Sequence, residues 1–291
     1  MPPEVSRRAR ALLAGEWEPP PVRDASTVVL LRDASGLEAT GLETYLMRRA
    51  ATMAFAAGMY VFPGGRIDEA DCDIDLTWAG EPLDAGRMTA GERQARGLIV
   101  GAVREVFEET GVLLAVDDSG RFPTEDAAWE EDRTAVAESS PALAEVLGRR
   151  GLRIDPGALP LWTHWVTPEV ESKRYDVRFF VAAVPPGQHA RDVSGEADQV
   201  LWTSPGAALG DYSRGHLPML PPTVATLADL AALPDVATVL ASASAREVRP
   251  LMPRPRLEDD GAIAWDVIDV RDGSVVVRLP AEPAGSEVAG A

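Results

Sequence analysis

The sequence predicts an α/β fold, built as one large domain with an extension. Three observations predict it. Apolar runs of four to ten residues recur between polar turns and read as buried strands. The segment from Thr89 to Gly111 reads as one long amphipathic helix. The chain has 291 residues, 46% of them hydrophobic, enough to bury a core of that size.

In chain order, residues 1–22 read as an N-terminal arm. Arg7 to Leu13 form a short helix there, which Pro19-Pro20-Pro21 ends. The main domain spans 23–245. Thr27 to Arg32 is a buried strand, followed by a polar turn at Ser35-Gly36, and Glu43 to Arg48 is the next strand. Tyr60-Val61-Phe62 runs into Pro63-Gly64-Gly65, a tight turn that glycine tolerates best. Residues 66–88 are acidic and broken by Gly and Pro, the pattern of an inserted loop.

Thr89 opens the long helix as N-cap, with Glu92 three residues on, and Gly111 is its C-cap. Leu98, Ile99, Ala102, Val103, Val106 and Phe107 form its apolar face. Val112 to Val116 is expected to return as a strand, and 123–150 is an acidic helical subdomain. Leu159 to Val166, Tyr175 to Val184 and Val200 to Thr203 read as strands. Residues 221–245 form one or two helices opened by Pro221-Pro222-Thr223. The extension, 246–291, contains a hairpin at 262–279 around Asp272-Gly273 and a disordered tail of about a dozen residues. No internal repeat is present.

The formal net charge of -18 opposes binding to nucleic-acid backbones and anionic membranes. An anionic ligand must therefore enter through a locally basic pocket or with a metal. Lys173 is the only lysine, so arginine carries the remaining positive charge of the basic side chains. Cys72 is the only cysteine, which rules out an internal disulfide and a cysteine-based zinc site. His164, His189 and His216 lack metal-ligand spacing. There is no Walker A sequence or dinucleotide-binding glycine fingerprint. No apolar run reaches transmembrane length, and neither terminus carries a secretory, peroxisomal or retention signal. The expectation is a cytoplasmic protein. Its partner is a small molecule, and homodimer formation is left open.

The most informative run is Arg104-Glu105-Val106-Phe107-Glu108-Glu109-Thr110-Gly111-Val112. Its three glutamates share an arc of roughly 100° on a helical wheel, beside the apolar face. Two carboxylates about 5 Å apart repel by roughly 3 kcal/mol at an effective dielectric of 20. One arginine cannot cancel three charges. A hard divalent cation can, and it brings phosphate oxygens with it. A solvated acidic helix face is the alternative, but it leaves the preceding glycine turn unexplained.

From Gly65 to Val112 the chain resembles the Nudix box. In that motif a Gly is followed after five residues by Glu, and seven residues later by Arg-Glu-U-x-Glu-Glu-x-Gly-U, with U bulky and aliphatic. Arg104, Glu105, Val106, Glu108, Glu109, Gly111 and Val112 fit its second half. Asp71 stands where the motif has its first Glu, and residues 72–103 separate it from Arg104, 32 residues in place of seven.

Such an insertion resembles the peroxisomal-type coenzyme A diphosphatase subgroup. So do Leu46-Met47-Arg48-Arg49, Phe62-Pro63-Gly64-Gly65, Trp165-Val166-Thr167-Pro168, Arg174-Tyr175-Asp176-Val177-Arg178-Phe179-Phe180 and Leu220-Pro221-Pro222-Thr223. The coenzyme A signature of shorter Nudix enzymes fits in part: Gly58 matches, whereas Ala50 stands for its Ser and Ala54 for its Arg. The resemblance covers about 27–245. It implies a Nudix-type α/β/α sandwich with a mixed sheet, an insertion within the box and a C-terminal helical extension.

The resemblance implies metal-dependent hydrolysis of a diphosphate linkage, with Mg²⁺ or Mn²⁺ as cofactor. Glu108 and Glu109 would be the principal ligands, and Glu105 a ligand or the group that positions the water. The backbone of Gly64 or Gly65 would complete the shell. Arg104 would orient a carboxylate through a bidentate pair. Asp71, or Asp68, would replace the missing Glu. Glu196 is the candidate base or ligand from outside the box, ahead of Glu169 and Glu171.

Arg48, Arg49 and Arg66 flank the glycine turn as candidates for substrate phosphates. Arg174 and Arg178 share one side of a strand and suit either phosphate or a carboxylate partner. Trp162 and Trp165 suit core packing better than stacking on an adenine. The leading substrate is coenzyme A or acyl-CoA, cut to 3′,5′-ADP and a phosphopantetheine. The rivals are ADP-ribose, NADH or a nucleotide sugar, and a non-catalytic sensor of a nucleotide metabolite.

Overall fold

The computed structural model describes residues 3–34, 41–53, 56–81, 84–88, 91–195 and 197–279. The turn at Ser35-Gly36, the cap at Thr89, Ala54, Glu196 and the tail from residue 280 lie outside them.

The elements follow in chain order: α1 (Pro3–Leu13), β1 (Val22–Asp33), β2 (Leu42–Arg49), β3 (Tyr60–Val61), β4 (Gly64–Arg66), α2 (Glu69–Asp73) and α3 (Glu92–Thr110). Then come α4 (Trp129–Glu138), α5 (Ala142–Arg150), β5 (Leu161–Val166), β6 (Arg174–Ala183), β7 (Ala197–Thr203), α6 (Pro205–Ser213), α7 (Pro221–Leu230) and α8 (Val236–Ala245). The chain closes with β8 (Pro250–Leu257), β9 (Ile263–Asp269) and β10 (Val275–Leu279). Among the described residues no helix is long and apolar enough to cross a membrane.

Two compact units form. The larger comprises residues 24–163 and 178–248, the smaller 1–23, 164–177 and 249–291. In the larger unit β1 lies between β6 and β2, and β2 pairs antiparallel with β1, β3 and β7. The short β4 adds to β1 through Ser26↔Gly65 and Thr27↔Gly64. One apolar core joins Val28 and Leu30 of β1, Tyr45 and Met47 of β2, and Leu98, Ile99, Ala102, Val103, Val106 and Phe107 of α3. The six α3 positions are those of its apolar stripe, and all are fully buried.

In the smaller unit β9 pairs antiparallel with β8 and β10, and His164 and Trp165 pair parallel with Pro250 and Leu251, which makes the sheet mixed. Ala9 of α1 packs with Val170 and Ile263 there.

Two expectations are corrected. Val112 to Val116 is buried but forms no strand; it makes a single antiparallel bridge, Val116↔Arg153. An apolar run can be buried beneath helices without a ladder partner. The segment 66–88 is also no simple loop. It contains α2 and a 3-10 turn at Gly86–Met88. α2 and the residue Ile67 before it lie against α3 because Gly97 and Gly101 have no side chain: a Cβ on Gly97 would meet Cys72 Sγ at 2.3 Å, and one on Gly101 would meet Ile67 Cδ1 at 2.4 Å and Asp71 Oδ2 at 3.2 Å. Asp68 N–H donates to Asp71 Oδ2 at 2.9 Å and closes the first turn of α2.

Candidate active site

α3 ends at Gly111, whose φ of 76° permits the cap in which its N–H donates to Phe107 O. The last turns of α3 carry the acidic run. At its centre Arg104 is buried, with 5% side-chain exposure, and Asp71 is wholly buried. Arg104 Nε and Nη2 each donate to an Asp71 oxygen at 2.9 Å, and Nη2 also donates to Arg66 O at 3.1 Å. Nη1 lies 3.0 Å from Glu105 and 3.1 Å from Glu108. Burial opposes the guanidinium charge, but the Asp71 hydrogen bonds and the Glu105, Asp71 and Glu108 charges outweigh it and hold the pKa above its ordinary range. Of the two carboxylates weighed for the place of the missing Glu, Asp71 is the one hydrogen-bonded to Arg104.

Burial pushes Glu105 up to about 7; Arg104 pulls it down and Glu108 pushes it further up. Burial raises Glu108 as well, against the same arginine. Glu109 is buried and accepts the Gly64 N–H at 2.8 Å. The glycine turn leaves a side chain no free space. At Gly64, with φ 148°, a Cβ would lie 2.3 Å from Ser26 O. At Gly65 it would lie 2.5 Å from the Glu105 carboxylate. The β1–β4 pairing therefore presses the turn directly onto the acidic face of α3.

Glu105, Glu108 and Glu109 line a cavity of about 340 Å³, together with Arg133 and Glu138 of α4 and with Ser194. α4 is fastened to α3 by Trp129, whose Nε1 donates to Gly111 O at 2.8 Å, and by Arg133, whose Nη1 donates to Glu108 O at 3.0 Å. Arg133 was not foreseen; its place depends on α4 folding back onto α3, which no local pattern announces.

The arginines expected at phosphates divide. Arg66 pairs with Asp68 at 3.1 Å, and Asp68 also accepts from Ser140 Oγ at 2.8 Å. The Ser140 bond leads in lowering the Asp68 pKa. Arg48 is exposed and pairs with Asp198 at 2.5 Å. The Arg49 backbone N–H donates to Met59 O and its carbonyl accepts from Gly58 N–H. Arg178 is 1% exposed and has a carboxylate partner: it donates to Met88 O at 3.1 Å and to Asp24 at 3.2 Å, so it pins the end of the insertion to β6. None of Arg48, Arg49, Arg66 and Arg178 lines the cavity. Arg174 donates to Thr167 O and Pro20 O in the smaller unit. Glu169 and Glu171 lie in that unit too, engaged through Trp17 and Arg8. Trp162 is buried beneath the Arg246 guanidinium, 4.3 Å away, and Trp165 is buried.

As the side chains stand, no three described carboxylate, imidazole or thiol groups enclose an ion. Arg104 contacts both Glu105 and Glu108, and Glu109 faces Gly64. The donor set still fits a hard divalent cation. It offers three carboxylates lining one cavity, and burial, which raises Glu105 and Glu108, disfavours their charged forms in a way that such an ion offsets.

A family model described as the NUDT19 Nudix domain matches residues 92–230. The acyl-coenzyme A diphosphatase NUDT19 of Xenopus laevis is 27% identical over 222 residues, covering 62% of this chain and 57% of that protein. The Gallus gallus protein of the same name is 26% identical over 249 residues, covering 69% of this chain and 65% of that protein. The chain thus spans less than two thirds of these relatives' length. The crystal structure of a NUDIX hydrolase from Alicyclobacillus acidocaldarius superposes with a TM-score of 0.63 at 30% identity, covering 76% of this chain and 96% of that one.

Proposed function

This chain belongs to the Nudix hydrolase family, and we propose that it is a cation-dependent diphosphatase acting on coenzyme A or an acyl-coenzyme A. One observation carries the chemistry: Glu105, Glu108 and Glu109 line one cavity, with the Gly64-Gly65 turn held against two of them. Nudix hydrolases generally use divalent metal ions. Glu105, Glu108 and Glu109 would hold Mg²⁺ or Mn²⁺, with the Gly65 backbone beside Glu105. Bound there, such an ion neutralises the non-bridging oxygens of a diphosphate and lowers the pKa of an attacking water.

The chain's own residues do the rest. Asp71 fixes the Arg104 guanidinium, which in turn holds Glu105 and Glu108 in register on α3. Glu105 is proposed to orient the water as well as to bind the cation, and Glu196 remains the proposed carboxylate from outside the box. Arg133 holds α4 against α3 through Glu108 O. Attack of water on one phosphorus breaks the P–O–P bond and releases 3′,5′-ADP and (acyl)phosphopantetheine.

The substrate reading is supported by the names of the curated relatives and by the insertion within the box. Ala50, in place of the Ser of the coenzyme A signature, favours a second reading: ADP-ribose, NADH or a nucleotide sugar. A panel of these substrates with Mg²⁺ and with Mn²⁺, products separated by chromatography, compares them by kcat/KM. Coenzyme A or acyl-CoA should lead. Absence of phosphopantetheine at micromolar enzyme would remove the first reading.

A further inference from the structure

Tyr45 of β2 is 1% exposed and pairs with Trp202 of β7, the two rings meeting edge-on with centroids 5.4 Å apart. It belongs to the apolar core that also holds Val103, Val106 and Phe107 of α3. Its hydroxyl is buried and has no hydrogen-bond partner among the described residues. Leaving a buried hydroxyl unpaired is unfavourable. Burial raises the phenol pKa far above its ordinary value, and the charges that add to the shift are the carboxylates of Asp192 and Glu109. The hydroxyl thus lies in the core that packs under the last turns of α3, the helix that carries Glu109. The mechanism described above makes no use of it.

We propose that Tyr45 is a positioning residue whose hydroxyl donates to the Glu109 carboxylate in the cation-loaded site and fixes its orientation there. A hydrogen bond to the ionised carboxylate favours the charged form that a metal ligand needs. Donors behind metal ligands typically change metal affinity by about 10- to 100-fold when removed. The inference rests on Glu109 being a ligand, so its test must separate the two.

Tyr45→Phe keeps the ring and its volume. Thr226→Val is the control, because the Thr226 hydroxyl on α7 is also buried without a partner among the described residues and does not line the cavity. The measurements are Mn²⁺ binding by titration calorimetry and thermal unfolding in EDTA, both on the full chain. Tyr45→Phe should unfold at or above the wild-type temperature in EDTA yet bind Mn²⁺ about 10- to 100-fold more weakly. Thr226→Val should hold or raise the unfolding temperature and leave Mn²⁺ affinity unchanged. Glu109→Gln should weaken Mn²⁺ binding at least as much as Tyr45→Phe.

Wild-type Mn²⁺ affinity in Tyr45→Phe, beside a weakened Glu109→Gln, overturns the role of Tyr45 alone. Lower stability of Tyr45→Phe in EDTA overturns it too, since the hydroxyl would then have a partner within the fold. Loss of affinity in Thr226→Val does the same by making the effect nonspecific. Unchanged affinity in Glu109→Gln overturns the functional reading itself.

Discussion

Asp71 and Arg104 show how much a single side chain depends on its setting. The pair is buried and doubly hydrogen-bonded, and the same guanidinium touches two of the catalytic candidates. Removing one partner of such a pair leaves an uncompensated charge and is unfavourable by about 3–5 kcal/mol. Asp71→Ala should therefore lower chemical-denaturation stability by about 3 kcal/mol, the lower end, because Glu105 and Glu108 remain for Arg104. It should also reduce turnover by releasing those two carboxylates. Glu108→Gln is expected to behave differently: fold retained by circular dichroism, hydrolase activity down by roughly 10²–10³, as loss of several kcal/mol of transition-state charge stabilisation implies. Gly65→Ala places a methyl 2.5 Å from the Glu105 carboxylate, which can rotate away, so the loss should fall on activity more than on stability. Gly64→Ala meets backbone at 2.3 Å and should fail mainly in stability, by about 1–3 kcal/mol or more, measured by thermal unfolding.

At the scale of elements, α3 was legible because its apolar residues repeat at the helical period and its end is marked by glycine. α2 was not legible. Five residues inside an acidic, glycine-broken segment carry too little pattern, and what holds them is the close approach to Gly97 and Gly101 of α3. That contact separates two effects of the same substitution. Gly→Ala in a helix ordinarily gains about 1 kcal/mol. Gly148 of α5 is exposed and its added Cβ meets nothing within 4 Å, so Gly148→Ala should raise the unfolding temperature. Gly97→Ala would meet Cys72 Sγ at 2.3 Å and its Cα at 3.3 Å, and overpacking of about 1–3 kcal/mol should win. Thermal unfolding of the two variants side by side checks the contrast. β8 and α6 were also missed. β8 contains three prolines, which weaken any strand signal, and it is fixed by its antiparallel register with β9.

At the scale of the whole molecule, a net charge of -18 and a buried acidic cluster would both oppose the proposed anionic diphosphate substrate. Activity should therefore vanish in EDTA and return on adding excess Mg²⁺ or Mn²⁺, measured as substrate turnover. Activity that survives exhaustive chelation would sink the cation-dependent reading.

The sequence by itself determined the family, the strand runs on either side of the glycine turn, and the three glutamates on one arc of α3. Those depend on local period and spacing, which a chain carries in its order of residues. Tertiary structure alone decided that Asp71 would clamp Arg104, that Arg178 would be drawn inward by Asp24 and Met88 O, and that Arg133 would tie α4 to the acidic helix. A long charged side chain has many partners within its reach, and its final one is set by elements that meet only when the chain folds.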